Sequence, residues 1–140
     1  MLLTKRGQIA TEYLIIISFV TFIIISVMGV ALIYSSEIRD SIKSSQLDKL
    51  SDKIVSTSES VFYAGEPSKI EIQVYLPESV NNITISGKDL RFKFTNSNGE
   101  SVRVYTSKVP LQGSISIHSG VKNLLISANQ SWVDIHEVVS

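Results

Sequence analysis

The stretch YLIIISFVTFIIISVMGVALIYSS, Tyr13 to Ser36, runs twenty-four residues between Glu12 and Glu37 without a lysine, arginine, aspartate or glutamate. As a helix rising ~1.5 Å per residue it crosses the ~30 Å hydrocarbon core of a bilayer. A helix apolar all round is stable in lipid or in a bundle of like helices. This segment localises the odd composition of the chain, 44% hydrophobic but only 19% charged over 140 residues. Thirteen basic and thirteen acidic residues leave no net field, which disfavours a dominant nucleic-acid-binding role. With no cysteine, disulfides, thiolate metal sites and cysteine nucleophiles are excluded together.

Lys5 and Arg6 precede the apolar run and, under the positive-inside bias, stay cytoplasmic, so the chain after Ser36 is expected outside the membrane. Two N-glycosylation acceptors fall there, Asn82 in Asn82-Ile83-Thr84 and Asn129 in Asn129-Gln130-Ser131, in agreement with that orientation. An ordinary secretory signal is the competing account, with small residues for cleavage at Ser26, Gly29, Ala31 and Ser35-Ser36. The apolar region of such a signal is shorter, about 7 to 15 residues. Glu12 also argues against it. A carboxylate at the start of a spanning segment costs ~2 to 3 kcal/mol toward the bilayer centre, less at the interface, and calls for a partner.

Lys5-Arg6-Gly7-Gln8, followed by Glu12 and the long apolar helix, resembles the class III signal peptide of archaeal type IV pilin-like proteins. The resemblance covers about residues 5 to 35 and departs from the family at Ala10, where many members have serine. It implies that a prepilin-type peptidase recognises Lys5 and Arg6 and cuts between Gly7 and Gln8, removing residues 1–7. Glu12 then takes the fifth mature position, where the family's glutamate pairs with the new terminal amine of a neighbouring subunit. The implied partners are further copies of the chain, joined through the helix into a helical homopolymer, with an assembly ATPase and a membrane platform protein. Archaellins share this architecture, but Gln8 to Tyr13 is more similar to adhesion-type pilins. The second reading is a membrane-anchored accessory, minor-pilin or stator-like cell-envelope protein.

No glycine or proline interrupts residues 30–64, which predicts one helix over 8–62, with 13–36 as membrane span and filament core. At ~100° per residue Leu47, Leu50, Ile54 and Val61 form one stripe, expected to dock onto the outer domain. Ile38 and Ile42 lie elsewhere on the surface and are expected to continue helix–helix packing. Gly65-Glu66-Pro67 ends the helix.

After it the period changes to two. Ile70 to Leu76, Asn82 to Ser86, Leu90 to Thr95, Ser101 to Ser107, Leu111 to His118, Lys122 to Ala128 and Trp132 to Val138 read as strands. The expected fold is α+β: a long helix, then an antiparallel, immunoglobulin-like β-sandwich over 63–140. Placing Phe92 and Phe94 on one inner face with Val102 and Val104 requires a three-residue loop, Ser97-Asn98-Gly99, pairing Phe94 with Val102. Arg91, Lys93, Arg103 and Tyr105 then share the outer face as a small platform for an anionic polymer. With seven basic and seven acidic residues from Tyr63 onward and no general cationic field, a solvated or subunit-contacting strand face is the preferred reading of these residues. His118, His136 and Asp134 fall on outward strand positions, too few and too unconnected to define a zinc site. No nucleophile elbow or phosphate-binding glycine motif is present, so neither enzyme activity nor a cofactor is expected.

Overall fold

The computed structural model describes residues 2–138, with side chains described from Ile9 onward. Helix α1 spans Leu2–Ala64, longer at both ends than the sequence pattern indicated. The terminating signal is the expected one: Gly65 takes a φ of 76° and its N–H donates to the Phe62 carbonyl at 3.1 Å. Glycine adopts this left-handed cap without the Cβ clash other residues suffer, and Pro67 cannot continue a helix.

The chain divides into two compact units, residues 1–39 and 40–140. In the first, every described large apolar side chain from Ile9 to Tyr34 is exposed. The helix is long and apolar enough to cross a membrane, and none of its most apolar window is buried within the chain. Ser18, Ser26 and Ser36 bond back to the helix rather than relying on water. Ser18 Oγ donates to the Leu14 carbonyl at 2.7 Å, and Ser26 Oγ to the Phe22 carbonyl at 2.8 Å. Hydroxyls bonded back to the preceding turn present little unsatisfied polarity to an apolar environment.

The second unit joins the last turns of α1 to seven strands: β1 (Lys69–Leu76), β2 (Val80–Ser86), β3 (Asp89–Asn96), β4 (Gly99–Thr106), β5 (Leu111–Ser114), β6 (Gly120–Ala128) and β7 (Val133–Val138). The fold is α+β, a long apolar helix followed by a sheet-rich region. One sheet has the order β1-β6-β7-β5 and the other β2-β3-β4, and residues of both meet α1 in a single core. All pairings are antiparallel except β5 with β7, which is parallel. The stripe expected on α1 is buried: Leu47, Leu50, Ile54 and Val61, with Ser51 and Ser58 between them. At ~1.5 to 3 kcal/mol per buried side chain the four apolar residues contribute on the order of 8 kcal/mol. Ile38 and Ile42 remain exposed.

Two expectations are corrected. The β3–β4 hairpin turns through two residues, Ser97 and Asn98, so Phe94 faces Ser101, Phe92 faces Arg103 and Lys93 faces Val102. A shift of one residue turns every side chain of β4 to the other face. Val102 and Val104 therefore point to solvent, while Arg103 and Tyr105 lie with the phenylalanines on the side facing α1. The cause is an acid on the helix. β4 is an edge strand, and Asp48 supplies its inward polar groups with a partner. The second correction concerns β5, which ends at Ser114 and leaves His118 in a loop. Beyond it the Ser116 N–H donates to Glu137 Oε2 at 3.0 Å, turning the backbone away from a strand partner.

Candidate functional site

Glu12 lies on the exposed surface of α1, at the start of the apolar surface, four residues or about one turn beyond Gln8. Lys5, Arg6, Gly7 and Gln8, the expected peptidase site, lie outside the residues whose side chains are described. From Tyr13 to Ser36 no lysine, arginine, aspartate or glutamate interrupts the helix surface.

The four residues expected to form an anionic-polymer platform do not share a face. Arg91 and Lys93 point outward, Arg91 contacting Asp89 at 3.2 Å and Lys93 contacting Glu100 at 2.8 Å. Both carboxyls are held below their usual range, Asp89 chiefly by the bond from Arg91 and Glu100 chiefly by that from Lys93. Arg103 and Tyr105 are on the opposite side, each 2.5 Å from Asp48 Oδ1. The Tyr105 hydroxyl is the main influence lowering the Asp48 pKa, with the Arg103 guanidinium adding to it. Burial, then the neighbouring Asp48, pushes the Tyr105 phenol up.

Asp48 belongs to a series of helix carboxylates that bond β4 and the segments flanking it. Asp40 accepts the Ser97 N–H at 2.9 Å and the Ser97 hydroxyl, and Glu59 accepts the Lys108 N–H at 3.0 Å. On the other flank of the buried stripe Lys53 Nζ donates to the Gln73 carbonyl of β1 at 2.8 Å. The helix thus ties itself to an outer strand of each sheet. These contacts escaped the sequence reading, although one signal existed: Asp48 and Glu59, eleven residues apart, fall within ~20° of each other beside the apolar stripe.

Lys122 is a second residue the sequence reading missed. It points inward from β6, only 6% exposed, with its Nζ 2.7 Å from Glu137 Oε1 and bonded also to the Ser116 hydroxyl. Burial opposes the charge on Glu137, but the bonds from Lys122, the Ser116 hydroxyl and the Ser116 amide outweigh it and lower its pKa to about 2. His136 Nε2 lies 2.9 Å from Asp134 Oδ2, and His118 is exposed on its loop. Among the described residues no group of three or more histidines and acids is placed to hold a metal ion. Both acceptor asparagines are exposed, Asn82 on β2 and Asn129 in the β6–β7 turn.

In comparisons with known proteins, the chain matches no family model, no curated protein and no solved structure.

Proposed function

We propose that the chain is a structural subunit, a pilin, of an archaeal type IV pilus-like surface filament used in adhesion, and that it has no enzymatic role. The observation that carries this reading is α1 itself: an apolar surface exposed in every direction from Ile9 to Tyr34, opened by one carboxylate, and continued by turns that belong to a β-rich unit. Such a surface is covered equally well by lipid and by like helices, so transfer from membrane to filament loses little burial. The subunit waits in the membrane with its N-terminus cytoplasmic and its sheet unit outside. The prepilin-type peptidase, the assembly ATPase and the platform protein are its partners before assembly, and its own copies are its partners afterwards.

Glu12 selects the register. In a helix bundle of low dielectric an unpaired carboxylate is costly, whereas one beside the amine freed at Gln8 is compensated. Glu12→Leu should leave membrane insertion and cleavage after Gly7 intact while lowering incorporation into sheared surface filaments about tenfold or more, the effect of ~1.4 kcal/mol in registration. Fractionation of membranes and filaments beside the wild type, with the mature N-terminus read by mass, measures both. Intact Met1 in assembled material contradicts the peptidase step. Unchanged incorporation of Glu12→Leu favours a membrane-anchored accessory protein instead.

A further inference from the structure

The outward face of the three-stranded sheet is organised in cross-strand rows. Asn82 of β2 stands opposite Lys93 of β3, which stands opposite Val102 of β4; the next row is Thr84, Arg91 and Val104. Val102 and Val104 are 59% and 50% exposed, an apolar strip on an edge strand. On the other edge of the same face, Asn82 and Thr84 are the first and third residues of a glycosylation acceptor. The Asn82 amide is exposed and makes no hydrogen bond among the described residues, whereas the Asn129 Oδ1 accepts the Gln130 N–H at 2.8 Å.

We propose that this face is the bed of an N-linked glycan on Asn82, whose sugars lie over Lys93 and Arg91 and reach Val102 and Val104. The inference rests on the reading above in needing the sheet unit outside the membrane. In the attachment step Asn82 Nδ2 attacks the anomeric carbon of an oligosaccharide linked to a polyprenyl phosphate or diphosphate. The carbon–nitrogen bond forms, and the carbon–oxygen bond breaks with its electron pair leaving on the phosphate. One amide proton passes to a base of the transferase, and nothing is oxidised or reduced. Asn82 is exposed on the outward face of β2, where such an enzyme reaches it.

β2 and β4 lie two strand spacings apart, about 10 Å, a distance the first few sugars of a glycan cover. The bed offers donors and acceptors side by side, Lys93 with Glu100 and Arg91 with Asp89. That alternation suits the hydroxyl rims of neutral sugars, which both give and accept hydrogen bonds. The C–H faces of the same rings suit the two valines. Exposed ion pairs contribute little to stability by themselves, so engaging sugars does not weaken the fold.

The test compares full-length protein purified from its native membranes with the Asn82→Gln variant. Peptide mass at Asn82 and hydroxyl-radical labelling of exposed side chains are read together, and protease accessibility on intact cells reports where the domain lies. The expected result is a sugar-bearing Asn82, with Val102 and Val104 labelled several-fold less in wild type than in Asn82→Gln. Tyr75 and Val121, on the outward face of the other sheet, should label equally in both. An accessible domain with unmodified Asn82 overturns the glycan and leaves the filament reading standing. A domain protected inside the cell overturns both, and a modified Asn82 with unchanged valine labelling overturns the bed.

Discussion

Lys122 faces the core from β6 in the alternation that continues through Leu124 and Ile126, a position where an apolar side chain is the rule. Its charge is tolerated because Glu137, on the inward side of β7, meets it at 2.7 Å. Removing one member of a buried pair strands the other, so Lys122→Ala should cost about 3 kcal/mol. The pair also makes stability depend on pH. The Glu137 pKa of about 2 in the folded chain lies below its ordinary value of 4.5. Its stabilisation is therefore complete above pH 4.5 and lost progressively as pH falls toward 2, by about 3 kcal/mol. Urea unfolding of wild type and Glu137→Gln across this range isolates the contribution, since the other paired acids titrate in both. A wild-type curve falling no more steeply than that of Glu137→Gln would show the pair to be inert. Neither partner is legible from sequence: a lysine in a strand reads as solvated unless the acid across the sheet is known.

At the scale of elements, what was legible is what periodicity encodes. The stripe Leu47, Leu50, Ile54 and Val61, the stop at Gly65 and the seven strands follow from local spacing. The β3–β4 register does not. Val102 and Val104 look like core residues until Asp48 is placed beside Arg103 and Tyr105, a contact between residues 55 and 57 positions apart. The parallel β5–β7 pairing is equally invisible locally, yet it depends on one glycine. Gly113 sits at φ 130°, and a Cβ added there would stand 2.0 Å from the Ile135 carbonyl oxygen. Gly113→Ala must part β5 from β7 and should cost about 3 kcal/mol or more. Gly87→Ala, at φ 62° with open space around it, should cost only about 1 kcal/mol. Similar losses for both in denaturant titration would mean that backbone conformation, not the Ile135 contact, sets the penalty.

For the whole molecule the consequential boundary lies inside α1. The sequence suggested a division after residue 62, where the helix gives way to strands, but the compact unit begins at Asp40. The reason is that the strands do not complete their own core. Leu47, Leu50, Ile54 and Val61 fill it from the helix, while Asp48 holds β4, Asp40 and Glu59 hold the segments before and after it, and Lys53 holds β1. A burial term on the order of 8 kcal/mol is comparable with the entire stability of a domain this size. A chain beginning at Asp40 should therefore fold cooperatively and remain soluble without detergent, having shed the exposed apolar surface of Ile9 to Tyr34. A chain beginning at Gly65 keeps all seven strands but exposes the core face that α1 covered, together with the outer edges of β1 and β4. It should aggregate or remain unfolded. Circular dichroism melts and size-exclusion chromatography of the two fragments distinguish the cases. A cooperative, monomeric fragment from Gly65 would show that the helix docks on an already complete sandwich, and its carboxylates would then be fastenings rather than part of the fold.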